Sequence, residues 1–168
     1  MNPLQSANKR RLALLTVVFP FFWVGQPLGA QSTEPGQPST GVHVGLWIVQ
    51  GLLALTFAGG GMWKLATPIP ELASKMPWMG QVSPSLLYAT AVFDILGGIG
   101  VLLPSITRIK PSVTVLAALG CVALQASAIV FHFSRGEAAN TPFNFLLVAL
   151  SFFVAWGRHS KAPIAPRA

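Results

Sequence analysis

The sequence predicts an all-α integral membrane protein, a four-helix bundle with an extra N-terminal apolar segment. Hydrophobic residues make up 52% of the chain and charged residues only 9%, whereas soluble proteins carry about 25% charged residues. The chain also contains four long apolar runs, at residues 44–63, 83–103, 111–131 and 138–157. Each run has about the 20 residues that a helix needs to cross the hydrocarbon core of a bilayer.

Residues 1–30 have the layout of a targeting or anchor segment. Three consecutive basic residues, 9–11, precede a short apolar stretch, and small residues follow that stretch, as in a secretory signal. The apolar stretch is short for a full span and contains Pro20. An uncleaved anchor and a helix lying on the membrane surface are therefore alternatives to a cleaved signal.

The rest of the chain divides into a linker, the bundle and a tail. Residues 31–41 are polar and contain Pro and Gly, which predicts a flexible linker. Residues 42–157 form the predicted bundle, and residues 158–168 form a basic tail that we expect to be disordered. Within the bundle, residues 67–83 are expected to form a loop whose Trp78 patch lies at the membrane interface, a depth that Trp favours.

Asp94 is the residue with the strongest functional implication, because it lies in the middle of the second apolar run. It is the only carboxylate between Glu71 and Glu137. An ionisable group at bilayer depth costs roughly 2.5–3.5 kcal/mol on insertion scales. Such a group is expected to face the bundle interior and to have a partner.

The alternating direction of four sequential spans predicts the partners of Asp94. The end of the first span, the start of the second, the end of the third and the start of the fourth share one membrane face. Side chains lean toward the N-terminus of their helix, so Lys64 and Asp94 lean toward each other, and we expect a direct or water-bridged contact. The candidate pocket for a ligand or proton consists of Asp94, Lys64, His132, Asn140, Asn144 and Gln125.

Seven-residue spacings predict which helix faces turn inward, because such a spacing drifts only about 20° per heptad on a straight helix. On the first span these positions are His43, Gln50, Phe57 and Lys64. Glycines at residues 59–61 and 97–100 are expected to let helices approach closely.

Several function classes are excluded by the same sequence. The net charge of +7 comes from basic residues scattered at the ends of apolar runs, which does not predict a nucleic-acid surface. The single cysteine, Cys121, excludes an intrachain disulfide and a CxxC pair. His43 and His132 lie at opposite membrane faces, about 30 Å apart, and cannot share a haem. No haem or metal site is predicted, and no catalytic residue is assigned.

Four motifs resemble those of the DoxX-like family of small bacterial membrane proteins. They are FAGGGMWKL at residues 57–65, an acidic residue followed by ILGGIG at residues 94–100, a histidine at the end of the third span, and NTPFN at residues 140–144. The acidic position is often glutamate in that family and is aspartate here. The resemblance covers residues 42–157. It implies a four-helix bundle in the bacterial cytoplasmic membrane, and family members have been linked to quinone-coupled sulfur oxidation and to membrane oxidoreductase assemblies.

The distribution of basic residues predicts the orientation. If four spans cross and the N-terminus stays inside, eight Lys and Arg residues lie inside and three lie outside, which favours both termini inside and the candidate pocket facing out. A cleaved signal or a crossing N-terminal segment would reverse this orientation.

Three functions stay open at this point. The first is an accessory or quinone-site subunit of a membrane redox assembly, with a membrane redox protein and the lipid bilayer as partners. The second is a small transporter that uses Asp94 as a proton or cation site, although the opposite half of the bundle is expected to be too apolar for a path. The third is a structural membrane protein whose polar cluster only fixes helix register.

Overall fold

The computed structural model describes residues 40–167, and the regular structure of this part of the chain is entirely helical. This confirms the all-α class. The predicted segment 1–30 and residues 31–39 of the linker lie outside the described residues. Residues 40–167 contain five α-helices: α1 (Thr40–Ala66), α2 (Ile69–Lys75), α3 (Pro84–Thr107), α4 (Ser112–Ser134) and α5 (Pro142–Trp156). Short 3-10 helices occupy Pro77–Gly80 and Ala138–Asn140, and a π-helical turn occupies Gly157–Lys161.

Three of these helices, α1, α3 and α4, are long and apolar enough to cross a membrane. Large apolar side chains project from them without protein cover, with Leu55 73%, Leu116 69% and Val130 68% exposed. Exposed apolar area of this kind is expected where lipid is the solvent. The fourth predicted span corresponds to α5, whose 15 residues are fewer than those of the other three.

Local sequence signals set the ends of the helices. Pro84 and Pro142 open α3 and α5, where a missing backbone N–H does no harm. The Ser83 side chain caps α3 by accepting a hydrogen bond from the Leu86 N–H at 3.3 Å. Arg108 ends α3 in the left-handed region, with φ of 59°, which turns the chain directly into α4.

The four long helices each contact two neighbours: α1 packs on α3 and α5, and α4 packs on α3 and α5. Leu46, Leu53 and Phe57 of α1 are buried in the shared core. The closest approach is between α1 and α3. A Cβ added at Gly98 would lie 2.6 Å from the Ala58 backbone nitrogen, so glycine is required there.

The predicted role of the glycines is confirmed only in part. At Gly61, an added Cβ would lie 2.5 Å from the Ala91 carbonyl oxygen of α3. At Gly59 and Gly60, nothing lies within 4 Å of an added Cβ. Helical periodicity explains the difference, because only one residue of the three faces α3.

The prediction of a loop at residues 67–83 is wrong, because this segment contains α2 and a 3-10 helix. Part of the patch that is predicted to lie at the membrane interface is buried within the protein. Met79 is 2% exposed and packs with Leu72 and Leu87 in a small second core. The segment therefore covers one end of the helix assembly, which we call the capped end because α2 lies there.

Candidate functional site

The predicted contact between Lys64 and Asp94 is present as an ion pair. The Nζ atom of Lys64 lies 2.5 Å from Oδ2 of Asp94, and the two side chains are 14% and 11% exposed. Lys64 also donates to the Thr90 hydroxyl at 3.5 Å, and that hydroxyl donates to the Leu87 carbonyl at 2.7 Å. The pair joins α1 to α3 and leaves no net charge in its apolar surroundings.

Packing fixes the position of the two charged side chains. Gly61 lies one turn before Lys64, and its missing Cβ leaves room for Asp94, whose Cβ would lie 3.1 Å from a Cβ added there. The close approach of α1 and α3 at Gly61 and Gly98 therefore brings the two charges within hydrogen-bond distance. A donor and an acceptor that hold each other at this depth can bind a polar group or pass a proton.

Gln125 and Asn144 form a second contact, between α4 and α5. The Asn144 amide donates to Oε1 of Gln125 at 2.7 Å. Gln125 is buried, so this bond satisfies a polar group that would otherwise be costly in apolar surroundings.

His132 belongs to a third cluster, at the capped end. Its Nδ1 lies 2.8 Å from Oε2 of Glu137, and because a carboxylate accepts, the hydrogen is on Nδ1. Arg135 donates from Nε to Oε1 of Glu137 at 3.0 Å and from Nη2 to Oε1 of Gln81. The Trp78 ring packs edge-on against His132, with 6.0 Å between ring centroids. These contacts hold the end of α4 against the segment that precedes α3.

The hydrogen bond from His132 and the neighbouring Arg135 guanidinium lower the pKa of the Glu137 carboxyl below its usual value. Both contacts favour the charged form of the carboxyl. Glu137 is therefore ionised at neutral pH and accepts from both partners at once.

The structure does not bring the six predicted pocket residues together in one cluster. Lys64 and Asp94 form one contact, Gln125 and Asn144 another, and no hydrogen bond or ion pair within residues 40–167 joins His132 to Lys64 or Asp94. Asn140 lies exposed in the 3-10 helix. The physical reason is that the connection between α4 and α5 carries Glu137, which takes the His132 side chain as its own partner.

Sequence reasoning missed a buried polar network at the opposite end, which we call the open end. Nε of Arg158 donates to Oε1 of Gln50 at 2.7 Å. The Gln50 amide donates to the Val101 carbonyl at 2.6 Å and to Ser105 Oγ at 3.0 Å. Ser105 Oγ lies 2.9 Å from the Thr114 hydroxyl oxygen. The network links α1, α3, α4 and the π-helical turn.

The expectation that the tail from Arg158 onward is disordered is wrong for its first residues. Arg158 is 4% exposed, and its guanidinium carbon lies 4.8 Å from the centroid of the Trp47 ring. This half of the bundle, which we expected to be too apolar for a transport path, thus contains a buried polar network beside its apolar core. Gln50, on the predicted inward face of α1, was the available signal, because a buried amide needs partners. His43, by contrast, is exposed and not turned inward.

Within residues 40–167, no group of three or more His, Cys, Asp and Glu side chains has an arrangement that could hold a metal ion. Cys121 is buried and packs against α3, with its Sγ 2.8 Å from a Cβ added at Gly97. Its position explains why Gly97 carries no side chain.

The sequence model of the DoxX-like family matches residues 48–154, which is more than half of the chain. The chain belongs to the DoxX-like family. The match includes all six predicted pocket residues and ends four residues before Arg158. No curated protein and no solved structure matches the chain. Membership in the DoxX-like family, together with three helices able to span a bilayer, makes the chain a membrane protein.

Proposed function

We propose that this DoxX-like protein is an accessory, quinone-site subunit of a membrane redox assembly. The observation that carries the proposal is the largely buried Lys64–Asp94 ion pair, with 2.5 Å between Nζ and Oδ2, which joins two helices long enough to span a membrane. The ammonium group can donate to a quinone carbonyl, and the carboxylate can accept a proton from the reduced head group. The family supports the class of function, because other members have been linked to quinone-coupled and oxidoreductase assemblies.

The proposed arrangement of the protein is a four-helix bundle of α1, α3, α4 and α5 in the bacterial cytoplasmic membrane. The mutual packing of these helices supports it. Helix α5 has 15 residues, and the π-helical turn adds five, which brings the continuous helical length to about 30 Å. The distribution of Lys and Arg favours both termini on the cytoplasmic side, with the capped end outside.

The transporter alternative receives less support from the packing. A path from Lys64 to the open end would have to pass Leu53 and Phe57, which are 0% and 2% exposed. Both side chains lie in the core shared by the long helices. Transport would therefore require the helices to separate along most of α1.

A structural role is the second candidate, and one observation favours it. Gly61 brings the backbone of α1 against α3 next to Asp94, so the ion pair can act as a lock on helix register. Buried ion pairs are often replaceable by apolar residues without loss of stability. If the pair is structural, such a replacement should leave quinone retention unchanged, whereas at a quinone site it should remove the bound quinone even though the protein stays stable.

The decisive experiment is purification of the protein from native membranes in mild detergent, followed by mass spectrometry of extracted quinone and of attached proteins. We expect the wild type to retain quinone and a redox protein. Asp94→Asn should lower quinone retention roughly tenfold, since a hydrogen bond to a charged group contributes about 1.5–3 kcal/mol.

The matched control is Glu71→Gln, which neutralises an exposed carboxylate on α2 and should retain quinone as the wild type does. A folded Asp94→Asn protein with undiminished quinone, or a wild type that carries none, would contradict the proposal.

A further inference from the structure

The Arg158 side chain is buried, its guanidinium lies over the Trp47 ring, and no carboxylate in residues 40–167 forms an ion pair with it. Its Nε donates to Gln50, and its Nη1 donates to the Ala162 carbonyl at 3.3 Å. Its Nη2 is buried and has no hydrogen-bond partner among the described residues. Both oxygen partners are neutral. A buried charge without a counter-charge is costly, so this guanidinium needs an anion.

A cleft of about 230 Å³ lies beside this side chain, and Arg158 is one of its lining residues. Ser105, Ser112 and Val115 line it from α3 and α4, and Pro163 and Ile164 line it from the tail. The Arg167 N–H donates to the Arg108 carbonyl at 3.0 Å, which ties the tail to the α3–α4 connection. The cleft is therefore a feature of the folded tail and helix ends together.

The charges around the open end are all positive among the described residues. Arg108 and Lys110 lie on the α3–α4 connection, and Lys161 and Arg167 lie on the tail. The described carboxylates are elsewhere: Glu71 and Glu137 lie at the capped end, and Asp94 is paired with Lys64. The open end therefore attracts anions and offers them one buried guanidinium.

We infer that the Arg158 cleft binds a phosphate-class anion, either the phosphate of a lipid head group or a free phosphate. A guanidinium matches phosphate oxygens in geometry and is weakly hydrated, which suits a partly buried site. The volume is below the range of about 300–1,000 Å³ typical of drug-sized ligands and suits a head group. Val115 and Ile164 give the cleft apolar walls, which can contact a lipid chain. The site is separate from the Lys64–Asp94 pair, so the inference goes beyond the proposed function.

The test has two arms, both on the full chain in detergent. The first arm counts bound lipid by native mass spectrometry with phosphatidylglycerol and with phosphatidylcholine. The second arm follows the thermal unfolding midpoint while sodium phosphate replaces sodium chloride at constant ionic strength. Binding in the first arm alone identifies a lipid head group, and stabilisation in the second alone identifies a free phosphate. Lipid binding and stabilisation by phosphate each support the inference only if substitution of Arg158 weakens them.

The variants separate this site from general charge attraction. Arg158→Gln should lower affinity about tenfold to a hundredfold, the size expected when a charge-assisted hydrogen bond is lost. Lys161→Gln is the matched control, because Lys161 is exposed, lies outside the cleft lining and packs over Trp156. It removes the same charge from the same turn and should leave affinity within about twofold.

Ser112→Phe keeps the inference testable if Arg158→Gln does not fold. Ser112 is the exposed first residue of α4 and lines the cleft, so a phenyl ring there should block the ligand while Arg158 stays in place. Equal binding by the wild type, Ser112→Phe and any folded Arg158 variant would overturn the inference. An equal loss in Lys161→Gln and Arg158→Gln would overturn it as well, since surface charge would then account for the binding.

Discussion

The two ends of the helix assembly handle buried charge in different ways. At the capped end, Lys64 and Asp94 neutralise each other across α1 and α3, with 2.5 Å between the charged atoms. At the open end, Arg158 is held by neutral oxygens of Gln50 and Ala162, and its Nη2 has no partner among the described residues. The charges of the first site balance within the described residues, and the second is the site at which we infer an anion.

This difference bears on how a membrane protein holds ionisable groups. A charge far from water is tolerated when a partner of opposite sign is supplied by the next helix, because the pair then has no net charge. A charge near the ends of the helices can instead be balanced by whatever anion the interface offers. The two ends therefore predict different responses to substitution.

The largest loss of stability is expected when one charge of the Lys64–Asp94 pair is removed. Asp94→Leu leaves Lys64 as a largely buried cation without a counter-charge among the described residues, which is the condition of Arg158. We expect a loss of about 3–5 kcal/mol in the free energy of unfolding, the range found when one partner of a buried pair is removed. Thermal and denaturant unfolding of the detergent-solubilised protein measures it.

The control is the double variant Lys64→Met with Asp94→Leu, which removes both charges and keeps the apolar surroundings. Its stability should return to within about 1 kcal/mol of the wild type, since replacing both partners of a buried pair is often neutral. Equal losses in the single and double variants would mean that the pair is not the source of the effect.

An intermediate loss of stability is expected at the contact between α1 and α3. Gly98→Ala places a Cβ 2.6 Å from the Ala58 backbone nitrogen, so the helices must separate, at a cost of about 1–3 kcal/mol. Gly60→Ala is the matched control, because nothing lies within 4 Å of its added Cβ. Alanine favours helix over glycine by about 1 kcal/mol, so Gly60→Ala should be neutral or stabilising. A loss in both variants would contradict close packing as the cause.

The smallest effect is expected at the surface cluster of Glu137, His132 and Arg135. Because the pKa of Glu137 is lowered in the folded protein, its contribution is present above the usual pKa of about 4.3. It is lost as the pH falls through the lowered value. Glu137→Gln should remove this part of the acid-induced loss of stability, and Glu71→Gln should keep it. Unfolding midpoints across this pH range measure it, and unchanged acid dependence in Glu137→Gln would contradict the assignment.

The sequence was sufficient to predict the Lys64–Asp94 contact for a physical reason. Consecutive spans must run in opposite directions, and side chains lean toward the N-terminus of their helix. The Lys64 and Asp94 side chains therefore lean toward each other and meet. The inward face of α1 followed from the same regularity at Gln50 and Phe57, both of which are buried.

The positions of Asn140 and Arg158 depend on irregular backbone, which the periodicity of the sequence does not describe. Asn140 is turned outward by a 3-10 helix in the α4–α5 connection. Arg158 reaches Gln50 because the chain continues past α5 in a π-helical turn. Gly157 allows that turn to approach α1, since a Cβ there would lie 2.5 Å from Leu46 Cδ2. A basic residue after the last apolar run of a membrane protein ordinarily marks the end of a loop. Arg158 has this position in the sequence, so the pattern gives no sign that its side chain is buried.

We propose that the Lys64–Asp94 pair serves a ligand and does not merely hold the helices together. Quinone retention in the Lys64→Met, Asp94→Leu double variant tests it most directly, because that protein is expected to be as stable as the wild type. We expect a folded, stable protein that has lost its quinone. A double variant that is equally stable and retains quinone at the wild-type level would contradict the claim and assign the pair to helix packing.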